Sequence, residues 1–597
     1  MGACACGVLR RRLSGRLGLA AVLMLSAIAG GGGGVWAVEP GPVVAPATPS
    51  AAQLPKPEND AAGSVFKAPI AATRADLALA YLSFERTMKH ARPADPGPAN
   101  KGFDDLTMLF FGGQFGKAIA RLHELEDGLD GTKPIPAYIA ARSLKLTAEP
   151  MVVNLEARAA DGGPLKAGEG GVNLRFTSLY EVAPDVRKSA LGEKPEIHVL
   201  LTGLNGDFAM NQRCALKPEE VEAFVQRGVL DVTVKFERDD LLGNSTTIAV
   251  AVGFDGQSLH PAGKFAVVRE MPSIVRARLV KASEEVEENA KPSLKKAISI
   301  FRSRCSILAD DPSPANSAEF LLDPSLHAAQ LEQELASLRV GIDPYPLRVG
   351  SWWCALEMGQ MVLPVRWYGP SLKSAVEKKG AENEKPALVI ALHGVGGDEN
   401  MFPDAYGAGV ILELAEAKRL VVVSPRADML MGNVAALRGL VDEAERLYEI
   451  DRSRVYVIGH SMGAGTAAVF ARAELKSIAA VVCIAGGPQR PLTKPVAPML
   501  VVGAELDPIA RASALMNAAE TSKQRGYSVE SKLCKGWGHT LVVGHVLPEA
   551  VDWLLSKRLD VAERERWLKE DEERRRPKDV PPGDPKLNPP AGSRPPG

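Results

Sequence analysis

The sequence has little cysteine and no excess of one charge. Seven cysteines occur in 597 residues; the odd number leaves at least one thiol unpaired even in an oxidising compartment, and the spacings match no metal site. Lys and Arg total 71 against 72 Asp and Glu, so no basic field favours nucleic acid as a partner. The 46% hydrophobic and 24% charged residues are instead typical of a globular protein of several domains.

Residues 1–37 are predicted to be an export signal. Four arginines between positions 10 and 16 precede an uncharged apolar stretch, residues 17–30, which is too short to span a bilayer comfortably. A membrane anchor is the alternative interpretation. The paired arginines match a twin-arginine signal poorly, so the export route stays open. We expect a periplasmic or extracellular protein with no stable membrane insertion once the signal is removed.

Changes in residue pattern divide the rest of the chain. The predicted parts are a Pro/Ala-rich linker (38–70), a helical segment (71–140), a β-rich accessory domain resembling a small sandwich (141–280), a helical connector (281–344), a domain of alternating strands and helices (345–558) and a charged, Pro-rich tail (559–597). Within 345–558, apolar strands follow a leading hairpin and alternate with helices. This pattern predicts a mostly parallel, doubly wound sheet that is covered on both faces.

A G-x-S-x-G motif follows one of these strands directly. An apolar run at 454–458 leads into Gly459, Ser461 and Gly463, and helix-forming residues come next. In this strand–turn–helix context the motif is typical of a nucleophile elbow, in which the glycines permit a tight turn. The turn would lift the Ser461 hydroxyl above the sheet, at a helix N-terminus that favours negative charge.

A carboxylate follows a later strand of the same domain. Asp507 comes just after the apolar run 498–502, where it could reach a histidine beside the nucleophile. Glu505 is the competing candidate. For either residue, the structural alternative is a turn or helix cap before the next helix.

His539 is the predicted base. It lies on a Gly-flanked loop after the strand at 529–533, whereas His545 falls deep in the following segment and His460 is expected to face away from the nucleophile. The order Ser461, Asp507, His539 is the order of an α/β-hydrolase triad.

Residues 345–558 resemble the α/β-hydrolase superfamily, and more narrowly the secreted esterases grouped with polyhydroxybutyrate depolymerases and feruloyl esterases. The matching strings are LHGVGG at 392–397, DRSRVYVIGHSMGAG at 451–465 and GH at 538–539. The resemblance implies an oxyanion hole built from the N–H groups of Met462 and Val395, with Gly394 less favoured. Ala464 departs from the family, which usually has a second glycine there. His393, before the Gly-rich turn, fits a role in holding that loop.

These residues predict a secreted serine esterase that needs no metal or other cofactor and cleaves a small-molecule or polymer-borne ester. The interval between Ser461 and Asp507 has no room for a large lid, so we expect an open site. A serine peptidase of the prolyl-oligopeptidase type is one alternative, although residues 141–270 show no blade repeat. A catalytically silent binding protein with the hydrolase fold is the other.

Overall fold

The computed structural model describes residues 72–131, 133–147, 152–154, 171–203, 209–235, 246–256, 258–310, 324–371 and 384–575. The predicted export signal and linker therefore lie outside the described residues, as does the Pro-rich end of the tail. Among the helices of the described ranges, none has both the length and the apolar character that crossing a bilayer requires.

Helices open the described chain. They are α1 (Arg74–Ala91), α2 (Gly97–Phe111), α3 (Phe115–Asp130) and the short α4 (Pro136–Arg142). A capping box fixes the start of α1, because the Asp76 N–H donates to Thr73 and the Thr73 N–H donates to the Asp76 carboxylate. Residues from these helices share a hydrophobic cluster with Ala405 and Leu541 of the later domain. The helical segment therefore packs against that domain.

Two sheets follow. Their strands and the accompanying helices are β1 (Leu144–Leu146), β2 (Val152–Asn154), β3 (Gly171–Ser178), α5 (Pro184–Leu191), β4 (Glu196–Gly203), β5 (Ala209–Ala215), α6 (Pro218–Arg227), β6 (Val229–Lys235), β7 (Thr246–Gly253) and β8 (His260–Val268). The strand orders are β1-β3-β6 and β2-β8-β7-β4-β5. Buried side chains of both sheets, including Phe176, Ile197 and Val250, form one cluster, so the sheets share a core.

The helices after β8 are α7 (Pro272–Glu288), α8 (Pro292–Cys305) and α9 (Pro324–Arg339). The boundary that we predict between 280 and 281 falls inside α7, which begins at a proline suited to a first helical turn. Leu279, Phe301 and Leu335 are buried in one cluster with Trp367 and Val421 of the following sheet. These helices thus cover a face of that sheet.

The last domain contains β9 (Gly350–Met358), β10 (Met361–Gly369), β11 (Ala387–Leu392), α10 (Val410–Lys418), β12 (Leu420–Pro425), α11 (Val434–Tyr448), β13 (Val455–His460), α12 (Met462–Ala473), β14 (Ala480–Ile484), β15 (Met499–Ala504), α13 (Ala512–Gln524), β16 (Val529–Cys534), α14 (Val542–Leu555) and α15 (Val561–Arg575). Its sheet has the order β16-β15-β14-β13-β11-β12-β10-β9. The hairpin β9–β10 is antiparallel and β11 to β16 are parallel, as predicted. Strand order reverses at β11, and ligands of open α/β sheets generally bind outside the carboxyl ends of the strands at such a reversal.

The first helix of the predicted tail is packed, not free. Arg564 on α15 is 1% exposed and donates to the carbonyl oxygen of Ala479 at 3.0 Å. Lys476 pairs with Glu565 on the surface. The domain therefore extends past residue 558 to the end of α15.

Glu334 on α9 should be essential for holding the connector helices to the sheet. It is 5% exposed and accepts hydrogen bonds from Arg304, Arg348 and the Tyr345 hydroxyl. Glu334→Gln leaves the buried guanidinium of Arg304 and the half-buried one of Arg348 without their counter-charge, so we expect a loss of about 3 kcal/mol in unfolding free energy. Glu332→Gln, at a side chain 42% exposed, should cost under about 1 kcal/mol. Equal thermal shifts in calorimetry would contradict this.

Candidate active site

Ser461 lies at a sharp turn between β13 and α12. Its backbone has φ 53° and ψ −111°, a conformation that costs a non-glycine residue about 1–3 kcal/mol. A Cβ on Gly459 would lie 2.2 Å from the carbonyl oxygen of Gly463, and a Cβ on Gly463 would lie 2.1 Å from that of Leu392. Both glycines are therefore required by close backbone approach, and Ser461 stands where free helix N–H groups favour negative charge.

Gly463 and Gly465 provide a matched test of this turn. Gly463→Ala places a methyl group against backbone that cannot rotate away, so we expect at least about 3 kcal/mol of destabilisation. Nothing lies within 4 Å of a Cβ on Gly465, and a helical glycine-to-alanine change there should stabilise by up to about 1 kcal/mol. Thermal unfolding of the two variants checks the contrast; similar melting temperatures would refute the elbow geometry.

Three side chains meet above the carboxyl edge of the sheet. The Ser461 Oγ lies 3.0 Å from His539 Nε2, and His539 Nδ1 lies 2.8 Å from Asp507 Oδ2. All three residues are at most 9% exposed. In this arrangement the imidazole can take the serine proton while the carboxylate fixes its tautomer and stabilises its cation.

Both candidate acids are held by the loop that follows β15, yet only Asp507 reaches the histidine. The second oxygen of Asp507, Oδ1, accepts from the Ile509 and Ala510 N–H groups at 2.7 and 2.8 Å. Glu505 turns elsewhere, because its Oε2 accepts from the Gly536 N–H at 2.8 Å. The position of Asp507 is thus fixed from two sides.

His460 lies under the site and does not touch Ser461 through its ring nitrogens. Its Nε2 donates to the carbonyl oxygen of His539 at 2.9 Å, and its Nδ1 accepts from the Tyr406 hydroxyl at 2.8 Å. Burial lowers the pKa of His460 well below its usual value, so the ring is neutral. It supports the backbone of the His539 loop.

The remaining two histidines of this region are structural. His393 Nδ1 donates to the carbonyl oxygen of Gly394 at 2.8 Å, and its Nε2 accepts from the Ala427 N–H at 2.9 Å. It therefore holds the loop after β11, as expected from the sequence. His545, on α14, stacks on Trp537 at 4.2 Å between ring centroids.

One predicted oxyanion donor follows Ser461 directly in the chain, and the other lies on the loop after β11, where a Cβ on Gly394 would be 3.3 Å from the Ser461 Cβ. Met462 is the first residue of α12, where its N–H needs no partner within the helix. The Gly394 N–H points to the Tyr406 hydroxyl at 3.4 Å, so Val395 is the better candidate of its loop. Val395 is 60% exposed.

A helix from the start of the chain reaches the same site. Asn100 and Asp104 on α2 accept hydrogen bonds from the backbone N–H groups of Gly538 at 2.8 Å and of His539 at 3.1 Å. The site is therefore bordered by the N-terminal helical segment, which the expectation of a fully open site overlooked. The four-residue spacing places Asn100 and Asp104 on one helix face, but no sequence signal pointed to their partners.

Within the described residues, no group of three or more His, Cys, Asp or Glu side chains is arranged to hold a metal ion. The Ser461, His539 and Asp507 side chains are hydrogen-bonded to one another, and Asp507 also accepts from backbone N–H groups. The chemistry available in this arrangement is proton transfer and nucleophilic attack by a hydroxyl.

One comparison with known proteins identifies a family for part of the last domain. Residues 399–545 match the dienelactone hydrolase family. A search of curated proteins found no match.

Similar solved structures include an S-formylglutathione hydrolase from Staphylococcus aureus (12% identity, 35% of this chain and 99% of that one, TM-score 0.30). Others are a thermostable esterase (14%, 70% and 100%, TM-score 0.29) and the feruloyl esterase module of Clostridium thermocellum in complex with sinapinate (16%, 34% and 86%, TM-score 0.27). We assign the domain from its own strand order and from the family match, which spans Ser461, Asp507 and His539. The last domain of this chain thus has the strand order of an α/β-hydrolase, and its residues 399–545 are similar to the dienelactone hydrolase family.

Proposed function

We propose that the protein hydrolyses carboxylic esters through an acyl-enzyme on Ser461. The observation that carries the proposal is the continuous hydrogen-bonded chain from the Ser461 hydroxyl through His539 to Asp507. A strained turn that presents the hydroxyl at a helix N-terminus supports the same role.

The proposed reaction has two halves. His539 Nε2 takes the hydroxyl proton as Ser461 Oγ attacks the ester carbonyl, and the N–H groups of Met462 and Val395 stabilise the oxyanion. The tetrahedral intermediate expels the alcohol, which receives the proton from His539. Water then attacks the acyl-enzyme, gives its proton to His539, and the acid leaves as Ser461 is protonated again. Asp507 balances the imidazolium in both halves.

We further propose that the substrate is a small-molecule or polymer-borne ester met outside the cytoplasm, as in the polyhydroxybutyrate depolymerase-like esterases that the sequence resembles. Exposed Val395 and Leu506, 60% and 40% accessible, offer apolar contacts beside the predicted oxyanion donor and the acid. The buried thiols of Cys354 and Cys483 would stay unreactive in an oxidising compartment, because burial raises the pKa of both to about 12.

Labelling with a fluorophosphonate probe tests the proposal. The protein as exported should gain one adduct, which peptide mapping places on Ser461, and should hydrolyse acetyl and butyryl esters faster than long-chain triglycerides. Failure to label would favour a silent binding protein. Labelling together with cleavage of prolyl peptides and no ester turnover would favour the peptidase. Recovery of the labelled protein from the periplasm or medium of the producing cells tests export.

A further inference from the structure

The N-terminal helical segment contacts the loop that follows β11. Arg74 at the start of α1 donates to the carbonyl oxygen of Gly396 at 2.7 Å, and the ring of Phe110 on α2 lies so close to Gly396 that a Cβ there would be 2.6 Å from it. This loop carries Val395, the predicted oxyanion donor. The segment thus contacts one wall of the site at this loop.

The same segment also contacts the loop that carries His539. Asp104 Oδ2 accepts the backbone N–H of His539, a residue 435 positions later in the chain. On the other side of that residue, His460 donates to the His539 carbonyl oxygen. The backbone donor and acceptor of His539 are therefore both bound, one by the helical segment and one by the elbow. With its backbone fixed in this way, the imidazole retains little freedom to leave Ser461.

Asp104 also presents charge to the site. Its second oxygen, Oδ1, is buried with no hydrogen-bond partner among the described residues. Burial raises the pKa of Asp104 to about 6, while His539 lowers it and Asp507 and Asp105 raise it. An ionised Asp104 therefore places a negative charge near the His539 side chain. His460, which faces His539 from β13, is neutral.

We propose that Asp104 is a positioning residue for His539, so that the N-terminal helical segment is a working part of the hydrolase site. The inference rests on the proposed function. Asp104 acts through the backbone amide that it binds and through its charge beside the imidazole; it does not touch the reacting atoms.

The test uses Asp104→Ala and Asp104→Asn in the full chain, with Asp105→Ala as the matched control. Asp105 is the exposed neighbour on the same helix. Asp104→Ala should lower kcat for a butyryl ester about 10- to 100-fold with little change in KM, since only the base is displaced. Asp104→Asn keeps an oxygen acceptor and should recover most of that loss at alkaline pH. Asp105→Ala should stay within about twofold.

The pH profile separates positioning from simple stability. The amide introduced by Asp104→Asn carries no charge to favour the protonated base, so the acid limb of kcat/KM for this variant should move down by about half a pH unit. If Asp104→Ala does not fold, the shift of the acid limb in Asp104→Asn is sufficient to test the inference. Wild-type kcat in Asp104→Ala, or an unmoved acid limb in Asp104→Asn, would overturn the inference. In that case fluorophosphonate labelling of Ser461 would still proceed, whereas an unlabelled wild-type protein would signal failure of the proposed function itself.

Discussion

Ser461→Ala is expected to lower kcat/KM for a short-chain ester by about four to six orders of magnitude, to a residual activity set by binding and the oxyanion donors. The methyl side chain cannot form the acyl-enzyme, and His539 loses the proton donor that lies 3.0 Å away. Stability should fall little, because the strained backbone at φ 53° is set by its neighbouring glycines.

Ser531→Ala is the control for this substitution. Ser531 is exposed on β16 and has no role in the proposed reaction. Replacing it with alanine should change kcat/KM by less than about twofold. Both variants are measured on the same ester and with the same fluorophosphonate probe. Full activity in Ser461→Ala would remove Ser461 as nucleophile and, with it, the proposed mechanism.

The elbow and the sheet could be predicted because their signals are local. Five consecutive residues around Ser461 specify a tight turn, and mostly apolar strands such as β13 allow few placements other than a buried parallel sheet. The order of Asp507 and His539 along the chain then follows from strand succession. The turn, the strands and their order each depend on residues that are close together in the sequence.

The contribution of the N-terminal helices could not be predicted in the same way. Asn100 and Asp104 form a polar pair on a helix that is otherwise rich in Leu and Phe, and such a pair also suits a solvated face. Their partners, Gly538 and His539, are backbone groups on a distant loop, and a backbone N–H leaves no mark in the sequence. The packing of α7 to α9 could not be predicted either. Their apolar faces indicate that they are buried, but not which sheet they cover.

The start of α7 and the packing of α15 could not be predicted from the sequence for a related reason. Helical periodicity begins clearly after residue 280, yet α7 starts at Pro272, because a proline preceded by an extended residue is equally suited to end a strand or to begin a helix. Likewise, the charge of α15 indicates a solvated helix, while the burial of Arg564 depends on a carbonyl oxygen at Ala479. The charge pattern of the helix therefore does not predict that one guanidinium, that of Arg564, is buried.

Asp507→Asn should lower kcat/KM by about 10³- to 10⁴-fold, and the structure explains why an isosteric amide is so damaging. The N–H groups of Ile509 and Ala510 donate to Oδ1, so the amide oxygen must take that position and its NH₂ must face His539 Nδ1. This ring nitrogen then has to accept, which puts the ring proton on Nε2, where it blocks uptake of the Ser461 proton. Glu505→Gln is the matched control, because its amide oxygen can still accept from Gly536 and activity should stay within about threefold. If the two variants lose equal activity, or if Glu505→Gln loses more, the acid has been wrongly assigned to Asp507.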